Sequence, residues 1–116
     1  MEAPRSRTVG ILIYDGVEVL DFCGPFEVFA TARRPGEHSE GTPLCSAITV
    51  AEAQRTVTCN GGLLVTPNAT TADHPPLDIL VVPGGHGTRR ERQNERLLDW
   101  RTHANRLKQR IEFIED

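Results

Sequence analysis

Two short, uninterrupted runs of branched apolar residues most constrain how this chain can fold. The first spans residues 9–14 and is ended by Asp15 and Gly16. The second follows Asp78 through residue 82 and is ended by Pro83 and several glycines. Strands that are buried on both faces, as in a parallel sheet, have continuous apolar sequences of this kind. The two runs therefore predict two strands of a mostly parallel sheet.

The segments between these runs predict one helix, one further strand and a hairpin. Phe22, Phe26 and Phe29 have helical spacing, and Pro25 lies early enough in that segment to be tolerated. Residues 47–50 predict another strand, and Asn60-Gly61 between two β-prone runs predicts a hairpin. Residues 67–76 are predicted to form a loop. This order favours an α/β sandwich around a mostly parallel sheet.

Composition and charge are those of an ordinary globular domain. The 116 residues carry a formal net charge of −3, and 25% of them are charged. The longest apolar run near the start is too short for a membrane span or a secretory signal, so a cytoplasmic location is expected. Three cysteines without a CxxC pair argue against a disulfide framework and a zinc site. The basic excess after Thr88 is too small to indicate nucleic-acid binding.

Candidate site residues follow the two apolar runs, because parallel sheets bind ligands beyond the carboxyl ends of their strands. Three carboxylates follow the first run: Asp15, Glu18 and Asp21. They are either solvated side chains at the surface or groups that transfer protons in a site. Residues 83–87 follow the second run. This segment either simply connects a strand to a helix or forms a loop whose backbone N–H groups bind an anion.

Two cysteines could be nucleophiles, but packing roles are favoured. Cys59 lies in the hairpin and lacks the following helix of a nucleophile elbow. Cys23 lies in the first turns of the predicted helix, between Phe22 and Phe26, and is expected to pack there.

The C-terminal part of the chain has a helical pattern. Its apolar residues are spaced alternately three and four positions apart, which predicts a long helix. These residues are Leu97, Trp100, Ala104, Leu107, Ile111 and Ile114. The helix is expected either to pack on the sheet or to associate with a second copy of the chain through this apolar stripe.

The runs VGILIYDGVEVLDFCGPFEVF and LDILVVPGGHGTRRERQNERLLDW, with GGLLVTPNAT between them, resemble the ThiJ/PfpI family of the class I glutamine-amidotransferase-like superfamily. The resemblance covers roughly residues 8–100 and is greatest to isonitrile-hydratase-like members and to the ligand domains of AraC-type regulators. It implies the N-terminal half of a flavodoxin-like α/β sandwich, usually dimeric. Residues 1–7 are then an N-terminal extension, and residues 101–116 a divergent amphipathic helical tail.

The resemblance also implies a cysteine-dependent site. Asp21 matches the acidic residue that manages the proton of the family's thiol, and the backbone of Gly84, Gly85 and His86 matches the oxyanion loop. No cysteine of this chain matches the nucleophile, which the family places on an elbow after a further buried strand. The resemblance therefore favours a truncated, inactive relative of a hydratase or hydrolase. The alternative is a small-molecule-sensing or dimerisation module. The chain is expected to form a homodimer and to bind a small-molecule ligand. No cofactor, metal ion, nucleic-acid partner or membrane association is expected.

Overall fold

The computed structural model describes residues 6–33, 36, 41–83 and 112–115. Its main layer is a five-stranded sheet with the strand order β5-β2-β1-β6-β7, and a separate two-stranded hairpin is formed by β3 and β4. The elements are β1 (Arg7–Leu12), α1 (Val19–Thr31), β2 (Cys45–Ala51), β3 (Val57–Thr58), β4 (Leu64–Val65), β5 (Ala69–Thr70), β6 (Ile79–Val82) and β7 (Glu112–Glu115).

The first apolar run forms the central strand of the sheet. Strand β1 pairs in parallel with β2 on one side, Arg7 opposite Cys45, and with β6 on the other, Val9 opposite Ile79. Val9, Ile11 and Leu80 are inaccessible to solvent, as expected for strands covered on both faces. The mostly parallel α/β sheet predicted from the two runs is confirmed.

Helix α1 packs on the sheet through its phenylalanines. Phe22 is 3% exposed, and Phe26 and Phe29 pack against the same core. Pro25 lies within the helix and does not end it. At the C-terminal end of α1, the Arg33 guanidinium donates hydrogen bonds to the carbonyl oxygens of Ala30 and Ala32, at 3.2 and 3.0 Å. The helix and the Asn-Gly hairpin are both confirmed.

Strand β5 lies within the segment that was predicted to be a loop. Its two residues pair with Val50 and Ala51. Asn68, just before it, accepts a hydrogen bond from the Thr49 N–H at 2.9 Å and donates its own N–H to Thr49 Oγ1 at 2.9 Å. The loop prediction is wrong here because this side-chain pairing, rather than a local pattern, brings the chain alongside β2.

Strand β7 replaces the predicted helix at residues 112–115. It pairs in parallel with β6, with Ile79 opposite Glu112 and Val82 opposite Glu115. The helix prediction is wrong here because a few apolar residues fit either period, and the outer edge of β6 offers backbone groups that a strand satisfies. The rest of the apolar stripe lies outside the described residues.

Candidate functional site

The carboxyl ends of the two central strands are joined by a buried side chain. Tyr14 follows β1, and its phenol O–H donates a hydrogen bond to the carbonyl oxygen of Pro83, which follows β6. Tyr14 is 7% exposed, and Pro83 is fully buried. Because β1 and β6 are parallel neighbours, their carboxyl ends lie at the same edge of the sheet, where Tyr14 and Pro83 follow them.

The hairpin is attached to the segment between β1 and α1 by backbone hydrogen bonds. The Gly16 N–H donates to the Thr58 carbonyl at 2.8 Å, and the Asn60 N–H donates to the Val17 carbonyl at 2.9 Å. Gly16 has φ of 87°, a conformation that favours glycine, and so allows the chain to turn immediately after Asp15. The hairpin therefore lies beside the start of α1.

Two of the three candidate carboxylates stabilise this attachment. Asp15 accepts hydrogen bonds from the Thr58 N–H at 3.0 Å and from the Arg55 guanidinium at 3.1 Å. Glu18 precedes α1 and accepts a hydrogen bond from the Asn60 side-chain amide at 2.7 Å. Their partners are 40 or more positions away, so the sequence patterns gave no signal for these contacts.

Asp21 lies in the first turn of α1, where the helix dipole stabilises a negative charge. It is half-buried, and its backbone N–H donates to the Glu18 carbonyl at 3.1 Å. The structure thus places Asp21 near the carboxyl end of β1, beside the hairpin attachment. Gly84, Gly85 and His86 lie outside the described residues, directly after Pro83 in the chain.

Cys59 is a packed hairpin residue. It is 3% exposed and belongs to the same core cluster as Val17 and Phe22. Burial raises the pKa of the Cys59 thiol, and the nearby Cys23 and Asp15 raise it further. The thiol form is therefore favoured, which is the opposite of what an activated nucleophile requires.

Cys23 does not pack between Phe22 and Phe26 as predicted. It is exposed, as are Leu20 and Val28 elsewhere on α1. The prediction is wrong because one residue step turns a helix by about 100°, which takes Cys23 away from the buried Phe22. In the described part of the chain, no group of three or more His, Cys, Asp or Glu residues could hold a metal ion.

Comparisons with known proteins agree with this architecture. A family model described as the DJ-1/PfpI family matches residues 7–114, so the similarity continues beyond residue 100. The isonitrile hydratase of Pseudomonas putida is 32% identical over 92 residues, which are 79% of this chain and 36% of that protein.

Solved structures show the same flavodoxin-like fold. A THiJ/PfpI family protein from Pseudomonas syringae has a TM-score of 0.76 at 25% identity, covering 95% of this chain and 41% of that one. Drosophila melanogaster DJ-1beta has a TM-score of 0.65 at 18% identity, and the match covers 82% of this chain and 47% of that one. At this identity the match shows a shared fold only. The chain thus spans less than half the length of these relatives. Because the family model matches nearly the whole chain, the chain belongs to the DJ-1/PfpI family.

Proposed function

We propose that this chain carries the proton-transfer and oxyanion-binding part of an isonitrile-hydratase-like site. The observation that carries the proposal is the 32% identity to an isonitrile hydratase over 79% of the chain. The matched family model spans both Asp21 and residues 84–86. The position of Asp21 in the first turn of α1, near the carboxyl end of β1, supports a role in the cleft beyond the sheet.

The chemistry of isonitrile hydration suits these groups. An isonitrile, R–N≡C, takes up one water to become a formamide, R–NH–CHO, so its terminal carbon gains an oxygen and a proton and its nitrogen gains the second proton. In a cysteine-dependent route, a thiolate attacks that carbon, and Asp21 carries the thiol proton to it. Water then adds to the carbon of the resulting thioimidate, and one proton of that water passes to the nitrogen. The C–S bond breaks to release the thiolate and the formamide, while the backbone N–H groups of residues 84–86 hold the developing negative oxygen.

We further propose that the 116-residue chain contains no catalytic cysteine and is inactive by itself. Cys45 begins β2, opposite Arg7, at the amino end of the sheet and far from the proposed cleft. Cys23 is exposed, and Cys59 is buried with a raised thiol pKa. These positions argue against each of the three thiols as the nucleophile.

The test is to incubate the chain with cyclohexyl isonitrile and to follow the formyl proton of the product by NMR. We expect no formamide above the buffer control, together with isonitrile-dependent shifts of the backbone amides of Gly84, Gly85 and His86. Turnover that is lost in Cys23→Ser or Cys59→Ser would refute the proposed inactivity. Absence of binding would refute the isonitrile site itself.

The proposal includes a homodimer that binds its small-molecule ligand in the cytoplasm. Within the described residues, no helix is long and apolar enough to span a membrane. Light scattering on the purified chain would measure the mass, and twice the monomer mass is expected. No observation on the described residues favours the alternative of a sensing module.

A further inference from the structure

The turn of the β3–β4 hairpin contains the one Asn-Gly pair of the sequence, Asn60-Gly61. The Gly62 N–H donates to the Cys59 carbonyl at 3.0 Å, which closes the turn around this pair. An Asn-Gly pair is chemically labile, because the backbone nitrogen of the glycine can attack the side-chain carboxamide of the asparagine. Glycine has no side chain to hinder that approach. A fold prevents the attack where it holds either group in place.

Both reacting groups are accessible in this turn. Asn60 and Gly61 are exposed, and a Cβ atom placed on Gly61 would meet nothing within 4 Å. Within the described residues, the Gly61 N–H donates no hydrogen bond. The Asn60 carboxamide donates one hydrogen bond there, to the Glu18 carboxylate at 2.7 Å. Because this hydrogen bond is exposed to competing water, its loss costs little, and the carboxamide can turn toward Gly61.

The Asp15-Gly16 pair could form the same ring, but the fold holds both of its groups. The Gly16 N–H donates to the Thr58 carbonyl at 2.8 Å, so its nitrogen is engaged. The Asp15 carboxylate accepts hydrogen bonds from the Thr58 N–H and from the Arg55 guanidinium. A carboxylate ion is also a weaker electrophile than a neutral carboxamide. Of the two pairs, the one at Asn60 is open to reaction.

We propose that Asn60 is a site of spontaneous deamidation, and that its modification loosens the hairpin from the start of α1. The Gly61 nitrogen forms a bond to the side-chain carbonyl carbon of Asn60, and ammonia leaves with the proton of the Gly61 N–H. Water then opens the resulting cyclic imide at one of its two carbonyl carbons. One opening gives aspartate, and the other gives isoaspartate, in which the main chain runs through the former side chain. The net reaction takes up one water and releases one ammonia.

The product has a negative charge where Asn60 now donates a hydrogen bond. A carboxylate cannot donate to Glu18, and two carboxylates this close to each other repel. Isoaspartate also lengthens the main chain by one carbon between Cys59 and Gly62, whose hydrogen bond closes the turn. Both changes weaken the attachment of the hairpin to the segment before α1.

The first test is to incubate the purified 116-residue chain in mildly alkaline heavy-oxygen water and to analyse its peptides by mass spectrometry. Fragmentation locates the heavy oxygen and distinguishes aspartate from isoaspartate. We expect one heavy oxygen at residue 60, at a rate no more than about tenfold below that of the chain unfolded in urea, since the Glu18 contact and an exposed turn are all that must open.

Two further residues are controls within the same sample. Asn68 is followed by alanine and is expected to react far more slowly than Asn60. The fold is expected to slow the isomerisation of Asp15 by a larger factor than the deamidation of Asn60. A greater than tenfold protection of residue 60 by the fold, or equal protection of the two pairs, would overturn the proposed site.

The second test measures the loosening with Asn60→Asp, and Asn68→Asp is the matched control. Both variants exchange an exposed carboxamide for a carboxylate, but residue 68 keeps the oxygen that accepts hydrogen bonds from Thr49. We expect the Gly16 amide, which is bonded to the hairpin, to exchange its hydrogen about tenfold faster in Asn60→Asp and unchanged in Asn68→Asp. An unchanged Gly16 exchange rate in Asn60→Asp would overturn the loosening, even with deamidation observed by mass spectrometry.

Discussion

Gly10 shows how one residue determines the packing of the central strand. A Cβ atom at this position would lie 2.9 and 3.0 Å from the Cδ atoms of Leu77. Leu77 is 1% exposed, so its side chain has little room to move away. The glycine is therefore required by the close approach of the segment that precedes β6.

Gly10→Ala is expected to lower the free energy of unfolding by about 1–3 kcal/mol, because the added methyl group overpacks the core. Urea denaturation followed by circular dichroism measures this. Gly24→Ala is the matched control, because a Cβ at Gly24 within α1 meets nothing within 4 Å. That change is expected to stabilise the chain by about 0.5–1 kcal/mol. Equal effects of the two substitutions would contradict the packing argument.

Cys59 is expected to make the stability of the chain fall at alkaline pH. Its thiol pKa is raised in the folded state, mainly by burial. Above the ordinary pKa of a thiol, about 8.5, the unfolded chain releases this proton first. The unfolded state then binds fewer protons, so the free energy of unfolding decreases as the pH rises toward the folded pKa.

Urea denaturation across this alkaline range checks the prediction. Cys59→Ala is expected to reduce the decrease, whereas Cys23→Ala retains it, because Cys23 is exposed. An identical pH dependence in both variants would show that other groups cause it.

The β3–β4 hairpin shows what sequence patterns reveal about an element and what they omit. The Asn-Gly turn and the flanking β-prone runs predict the hairpin itself, because those signals are local. Its attachment to residues 15–18 depends on partners distant in sequence, so no spacing rule reveals it. For the same reason, Asp15 and Glu18 could be nominated as site carboxylates from sequence, but their anchoring role required the structure.

Asp15→Asn is expected to loosen the hairpin without unfolding the sheet. The substitution removes the charge that accepts hydrogen bonds from Thr58 and Arg55. Because the Arg55 side chain is 66% exposed and the pair is partly screened, we expect only about tenfold faster hydrogen exchange at the Thr58 amide. Asp73→Asn, in the exposed turn after β5, is the control. Equal exchange rates in both variants would contradict an anchoring role.

At the scale of the whole molecule, β7 extends the sheet by one strand and covers an edge of β6. The paired backbone groups would otherwise be open to other chains. Local patterns predict β1, β2, β6 and the helix, whereas β5 depends on its pairing with β2, and β7 depends on an edge that exists only after β6 has folded into place. This dependence explains why the helical spacing at Ile114 did not predict a strand.

Deletion of residues 111–116 is therefore expected to increase self-association, because it exposes the outer edge of β6. Light scattering at increasing protein concentration measures this. Deletion of residues 1–5, which precede β1, is the matched control and is expected to leave the mass unchanged. If both truncated chains behave alike, β7 does not protect the edge.

The central position of β1 also determines when the sheet can assemble during synthesis. Of the described strands of the sheet, the ribosome makes β1 earliest, and both of its neighbours, β2 and β6, come later in the chain. Until residue 82 has left the exit tunnel, this central strand cannot pair on both sides. The nascent chain must therefore delay its folding, and in that interval it is a substrate for chaperones that bind extended apolar segments.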